Sequence, residues 1–315
     1  MLGGNVLGGG VFAYRTDYEF HCEPDCGAYD WLVVLDDLPV GRVPLACPRE
    51  RTILCTWEPV SIKSYSRPYV LQFGHLLTNR PFEAERHPRS HLGRGYFPSF
   101  VHDVPHVRGA IVKSKGISTV CSSKRMRHTR HYDRFRLTEA LQAAIPELDW
   151  FGKGVRPLAR KEDALLPYRY HLAVENHIGV HHWTEKFSDA ILCECLPFYA
   201  GDPALTEVMP AESFIPIPID DPAEAVRIVR AAMDADEYAR RREAILEAKR
   251  LIVEKYSFCA QVAGVVESAR ADAPAAPGEP SGFLYARRAM RRVSLRAAIE
   301  DGWDHVKRRF LPDMS

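Results

Sequence analysis

From residue 118 onward, short apolar runs alternate with longer stretches whose apolar residues recur at helical spacing. Ser118-Thr-Val-Cys121, Leu148-Asp-Trp-Phe151, Tyr170-His-Leu-Ala-Val174, Leu196-Pro-Phe-Tyr-Ala200 and Phe214-Ile215 read as strands. Between them, 131–144 reads as a helix with apolar Phe135, Leu137, Leu141 and Ala144, and a second helix starts near Thr184. A short helix is expected near 203–208, followed by charged amphipathic helices over 222–234 and 236–256. Strands alternating with helices at these intervals predict a parallel sheet covered on both faces. Such sheets bind ligands at the carboxyl ends of their strands.

The first 107 residues are less regular. Trp31-Leu-Val-Val-Leu35, Arg51-Thr-Ile-Leu-Cys-Thr-Trp57 and Tyr69-Val-Leu-Gln-Phe73 read as strands, and the Pro-, His- and Arg-rich stretch 80–107 as loop. At the other end, 271–282 is a Pro/Ala/Gly linker. The segment 283–315 beyond it is basic. Its apolar residues Leu295, Ile299, Trp303, Val306 and Phe310 fall at helical steps, and arginines 287, 288, 291, 292 and 296 surround them. This tail suits an anionic membrane surface through 283–311, or a helix that docks on the body or on another copy. The predicted layout is 1–107, 108–270, the linker 271–282 and the tail 283–315.

A net charge of +1 gives the whole chain no polyanion-binding character, so nucleic acid is not expected as a partner. Eight scattered cysteines in a long chain point to a reducing compartment, and neither Cys22/Cys26 nor Cys193/Cys195 has zinc-site spacing. No secretory signal is evident, and no apolar run reaches the ~20 residues needed to span a bilayer. The expected location is cytoplasmic, with the tail on the inner membrane face. His177, His181 and His182 precede a helix rather than sharing one of its faces, and Asp36-Asp37 lacks an Asp-x-Asp form. Gly8-Gly-Gly10 lacks the lysine of a phosphate loop. No metal site is expected.

The densest chemistry is Thr184-Glu185-Lys186. Thr184 is a plausible N-cap, and a helix start welcomes an anion. Lys186 adds a full charge for a phosphate, and Glu185 can accept from two adjacent hydroxyls, as in a ribose. The same three residues also suit an ordinary charged helix start.

Tyr168-Arg-Tyr-His-Leu-Ala-Val-Glu-Asn176, then Trp183-Thr-Glu-Lys186, then Leu196-Pro-Phe-Tyr-Ala-Gly201, resembles the signature of the glycosyltransferase family 10 fucosyltransferases. Pro210-Ala-Glu-Ser-Phe-Ile215 extends the resemblance, which is strong across about 165–220, fair across 118–260, weak over the first 110 residues and absent in the tail. It implies the GT-B architecture: two Rossmann-like α/β domains facing across a cleft, 1–107 for the acceptor and 108–270 for the donor, GDP-fucose. It further implies inverting fucosyl transfer to a glycan hydroxyl, such as that of a lipopolysaccharide precursor, with no cofactor. By the same resemblance Glu185 binds ribose, Lys186 the donor phosphates and Asn176 the donor pocket, with Thr184 beside them. His182 stands where the family usually has tyrosine. The diphosphate arginine falls on Arg134, with Arg136 the alternate, and the catalytic base on Glu58, which precedes Pro59 without the family's intervening serine. Lys161 receives no role. The remaining alternatives are a transferase of another nucleotide sugar and a non-catalytic glycan-binding protein of the same fold.

Overall fold

The computed structural model describes residues 11–14, 17–22, 29–59, 62–94, 110–126, 130–272 and 282–310, with backbone only for 11–14 and 305–310. The chain divides into two units, one made of residues 1–93 and 258–315 and the other of 94–257.

The first unit opens with an antiparallel hairpin, β1 (Val11–Tyr14) and β2 (Tyr18–His21). Next come β3 (Leu32–Leu35), β4 (Arg42–Pro44), β5 (Thr52–Thr56), α1 (Arg67–Leu71), β6 (His75–Thr78), α2 (Pro81–Ala84) and β7 (Ser90–Leu92). Strands β3, β5, β6 and β7 form a parallel sheet in that order. Its centre is apolar on both faces, as a sheet covered by helices requires: Ile53, Leu54 and Cys55 are all fully buried.

The stretch 69–73 is therefore not a strand. Ser66 stands at the N-cap of α1 with Pro68 in its first turn, and proline's fixed φ and missing N–H suit a helix start and not a sheet ladder. Tyr65, Tyr69 and Phe73, at steps of four, stack along one side of this turn with ring centroids 6.3 and 5.6 Å apart. The third strand of the sheet is β6. The region expected as loop carries α2 and β7, and residues 95–109 lie outside the described set.

The second unit contains β8 (Lys115–Val120), α3 (His131–Ala144), β9 (Asp149–Phe151), β10 (Tyr168–Val174), α4 (Glu185–Leu192), β11 (Leu196–Ala200), β12 (Ile215–Pro216), α5 (Pro222–Asp234), α6 (Glu237–Arg240) and α7 (Arg242–Leu251). The expected helix near 203–208 is a single 3-10 turn, Leu205–Glu207. The five strands are all parallel, in the order β12-β11-β10-β8-β9. From β8 the chain first moves outward to β9, then returns to the other side of β8 and continues through β10 to β12. The order therefore reverses between β8 and β10, where an open α/β sheet offers a crevice at its carboxyl edge. Gly152 closes β9 beside that crevice at φ +142°, and a Cβ there would stand 2.4 Å from the Cys121 carbonyl oxygen.

The chain then returns to the first unit at Phe258, not at residue 270. In α8 (Phe258–Asp272), Phe258 packs edge-on against Trp57 at 5.4 Å, and the Tyr18 hydroxyl donates to Glu267. The tail belongs to the same unit and is not a single helix. It forms β13 (Phe283–Tyr285), antiparallel to β4, then α9 (Arg287–Val293) and α10 (Leu295–Phe310), separated at Ser294. Leu284, Met290 and Ala297 enter the core of the first unit. Glu300 of α10 accepts from the Arg67 amide at 2.6 Å, capping α1.

Candidate functional site

The apolar run of β10 carries the chain to a charged residue, Glu175, whose side chain is fully buried. A carboxylate removed from water needs donors close by. Glu175 has three: the Thr184 amide at 2.9 Å, the Thr184 hydroxyl at 2.5 Å and the Lys186 ammonium at 3.4 Å. Thr184 in turn caps α4, its oxygen accepting from the Lys186 amide at 3.4 Å and from Nζ at 3.1 Å. Lys186 also reaches Glu185 at 2.9 Å. Burial works against charge on Lys186, but Glu175 and Glu185 more than offset it and hold the pKa above the ordinary lysine value. The ammonium is fixed in place and charged.

Lys186 and Glu185 line a cleft of about 260 Å³ at the β8/β10 switch point. Arg134, 8% exposed, enters from α3; its NH1 donates to Asn176 Oδ1 at 2.9 Å and its NH2 to the Val120 carbonyl. Lys124 and Lys153 follow β8 and β9, and Lys161 comes from a 3-10 turn before β10. Lys161 is held by the buried Asp189 of α4 at 2.5 Å. His131 and His171 complete the ionisable lining, in which Glu185 is the one carboxylate. Five permanent cations around one acid make a site for a multiply charged anion, with Glu185 and two histidines available for its polar remainder.

Of the residues singled out from the sequence, Arg134, Asn176, Glu185 and Lys186 meet in this cleft. Arg136 is exposed on α3 and does not line it. Thr184 acts behind the site, its oxygen engaged by Glu175 and Lys186. His182 is also absent from the lining; its ring meets that of His177 at 5.2 Å. Lys161, given no role from the sequence, is a wall residue, and no spacing pattern could place it because it arrives from a separate turn. Glu175 and His171 did leave a signal, since His171 interrupts an apolar strand and Glu175 directly follows it, and a buried polar group must have a partner. Among the described residues, no three His, Cys, Asp or Glu side chains group to hold a metal ion.

In the first unit, Glu58 lies two residues past the carboxyl end of β5 and is partly exposed. Its approach is fixed by Trp57, whose ring is buried against Phe258 and whose amide donates to Asp36 Oδ1 at 3.3 Å. Asp36 ends β3 at φ +62°, a left-handed position that aspartate tolerates better than most residues. The same oxygen accepts from the Tyr65 hydroxyl.

A parallel α/β unit with a cationic cleft at its switch point is the form of a nucleotide-binding domain. Residues 111–240 match the family described as "Glycosyltransferase family 10 (fucosyltransferase) C-term". By that match the chain is a glycosyltransferase. No curated protein matches it. Among solved structures, it resembles an α1,3-fucosyltransferase crystallised with GDP-fucose, at 16% identity and a TM-score of 0.44, over 71% of this chain and 79% of that one. A sucrose-phosphate synthase from Thermosynechococcus elongatus gives 12%, 0.40, 70% and 67%.

The burial of Glu175 makes a coupling testable. Glu175→Ala should destabilise the protein by about 3–5 kcal/mol, because it leaves the Lys186 charge without its buried partner. Lys186→Ala strands Glu175 in the same way, so the double variant should fall well short of the sum. Urea unfolding of all four proteins measures the cycle; additive losses would mean that the two charges do not depend on each other.

Proposed function

We propose that the protein transfers fucose from GDP-fucose to a hydroxyl of a glycan acceptor, with inversion at the anomeric carbon. The observation that carries the reading is the fixed Lys186–Glu185 pair beside Arg134 at the β8/β10 crevice, inside the family 10 segment. Lys186 and Arg134 meet the diphosphate, and Glu185 accepts from the ribose hydroxyls. As the acceptor oxygen attacks the anomeric carbon, Glu58 takes its proton and the bond from that carbon to the phosphate oxygen breaks. The charge that develops on the departing GDP falls on cations already in position, the arrangement that lowers such a barrier most. The reading calls for no cofactor beyond the donor, and gives the first unit to the acceptor, a surface-glycan precursor such as lipopolysaccharide. His182, standing where the family has tyrosine and outside the cleft lining, favours a second reading in which the sugar is not fucose.

The donor site is tested by calorimetry with GDP, GDP-fucose and UDP. GDP should bind and UDP should not, and Lys186→Ala should weaken GDP by about 1.5–3 kcal/mol. Glu185→Ala should weaken it too, with little loss of stability. Unchanged GDP affinity in both variants removes the site. The base is tested separately. Glu58→Gln keeps shape and loses basicity, so turnover should drop by ~10²–10⁴-fold when chemistry limits the rate. GDP affinity should stay within about twofold, and Glu50→Gln should behave like the parent. Retention of more than about a third of parental turnover by Glu58→Gln places the base elsewhere.

We further propose that α10 rests on an anionic membrane surface. Its inner side is committed to the first unit through Ala297 and the buried Asp301, which pairs with Arg291 at 2.5 Å. Leu295, Ile299 and Trp303 are nevertheless 79, 52 and 64% exposed, in a setting that includes Arg288, Arg292 and Arg296. The side chains of Val306 and Phe310, which would extend the stripe, lie outside the described residues. Among the described residues, no helix is long and apolar enough to cross a membrane. An exposed apolar stripe with basic flanks suits the interface plane of an anionic bilayer. Deleting the tail would remove core residues, so the clean test substitutes the stripe alone. The parent should sediment with phosphatidylglycerol vesicles and stay free of phosphatidylcholine ones. The triple change Leu295→Ser, Ile299→Ser, Trp303→Ser should abolish sedimentation and leave turnover on a soluble acceptor intact. Equal sedimentation of both proteins would rule out this surface.

A further inference from the structure

His171 is the polar residue in the middle of β10, 3% exposed, and it lines the donor cleft. Its partner across the parallel pair with β8 is Ser118. The single hydroxyl hydrogen of Ser118 goes to the Ala164 carbonyl at 2.5 Å. Toward His171 Nδ1, 2.9 Å away, the serine oxygen can therefore act only as an acceptor. That places the ring proton on Nδ1 and leaves Nε2 with a bare lone pair. A second proton is opposed first by burial and then by Lys161, Arg134 and Lys113, which together lower the pKa to about 3. The ring is a neutral acceptor held in one tautomer by its neighbours.

The rest of the cleft gives that lone pair its meaning. The cations Lys124, Arg134, Lys153, Lys161 and Lys186 are donors and suit phosphate oxygens. A nucleotide also brings donors of its own, the ribose O–H groups and the N–H groups of its base, and these need acceptors once water is excluded. Asn176 Oδ1 is already engaged by Arg134 at 2.9 Å. Side-chain acceptors along the lining include the Glu185 carboxylate at the helix start, the Ser122 hydroxyl and, in the strand itself, His171 Nε2. We propose that His171 Nε2 accepts a hydrogen bond from an N–H or O–H of the bound nucleotide, which makes His171 a specificity residue of the donor site. The proposal rests on the nucleotide reading of the cleft. A site built around a buried acceptor discriminates against a ligand lacking the matching donor, because the acceptor is then left unpaired.

The test is a ligand–variant cycle on the full chain. GDP, 1-methyl-GDP, IDP, 2′-deoxy-GDP and 3′-deoxy-GDP are titrated into the parent, His171→Leu and Ser118→Ala. Each analogue lacks one donor of GDP. In the parent, the analogue missing the contacted donor should bind about tenfold more weakly than GDP. That penalty should vanish in His171→Leu and shrink in Ser118→Ala, where the ring loses the partner that sets its tautomer. Affinity ratios that are the same in all three proteins overturn the role of His171 while the nucleotide site stands. A parent that binds no GDP overturns the nucleotide reading itself. A second measurement needs no variant: ¹⁵N spectra of the parent's histidines should show His171 Nε2 unprotonated in the free protein and shifted on saturation with GDP. A proton on Nε2 in the free protein, or no shift with GDP, rejects the proposal even if His171→Leu does not fold.

Discussion

The second unit is organised around one buried carboxylate. Glu175 ends the apolar strand β10 with no access to water, and the means of stabilising it there also build the site. Its oxygens take the amide and hydroxyl of Thr184, which fixes where α4 begins. They also draw the Lys186 ammonium out of solvent and keep it charged. Strand end, helix start and the fixed cation in the cleft are thus three consequences of one desolvated charge. A buried pair of this kind adds little net stability over an apolar core of the same volume, but breaking it is costly. What it supplies is position: a cation that does not have to be ordered when the ligand arrives.

Around that centre, the topology decides what the cleft contains. Because the strand order reverses between β8 and β10, the loops after these strands diverge and leave a gap at the sheet's carboxyl edge. Arg134 reaches the gap from α3, and Lys124 and Lys153 from the ends of β8 and β9. Lys161 closes a wall, held by Asp189 on the underside of α4. In the first unit, Glu58 is placed by the same logic at a strand end. Asp36, in a left-handed conformation at the end of β3, ties down the amide of the preceding Trp57.

Much of this was legible in the chain itself. Periodicity is a local property, so α3, β11 and α5 lie where their apolar spacing put them. The Thr184-Glu185-Lys186 helix start is equally local, because a cap depends on atoms within one turn. The stretch 69–73 fits either period, because four of its five residues are apolar or aromatic and only Pro68 tips the balance toward a helix. Amphipathicity likewise identified a helix near 295–310 with an apolar stripe, but not which of its sides would be used. The body claims Ala297 and Asp301, and the stripe stays in solvent.

By itself, the sequence determined the alternation of elements, the parallel sheet of the second unit and the acid–base pair at the start of α4. Each follows from residues within a few positions of one another. Only the tertiary structure decided that Arg134 rather than Arg136 faces the cleft, that Lys161 joins it, and that Glu175 lies beneath it. It also decided that the chain returns at Phe258 to complete the first unit, and which nitrogen of His171 carries the proton. These outcomes depend on which groups lose water together. Desolvation is set by the three-dimensional neighbourhood, in which residues such as Lys161 and Asp189, or Ser118 and His171, meet across dozens of positions in the chain.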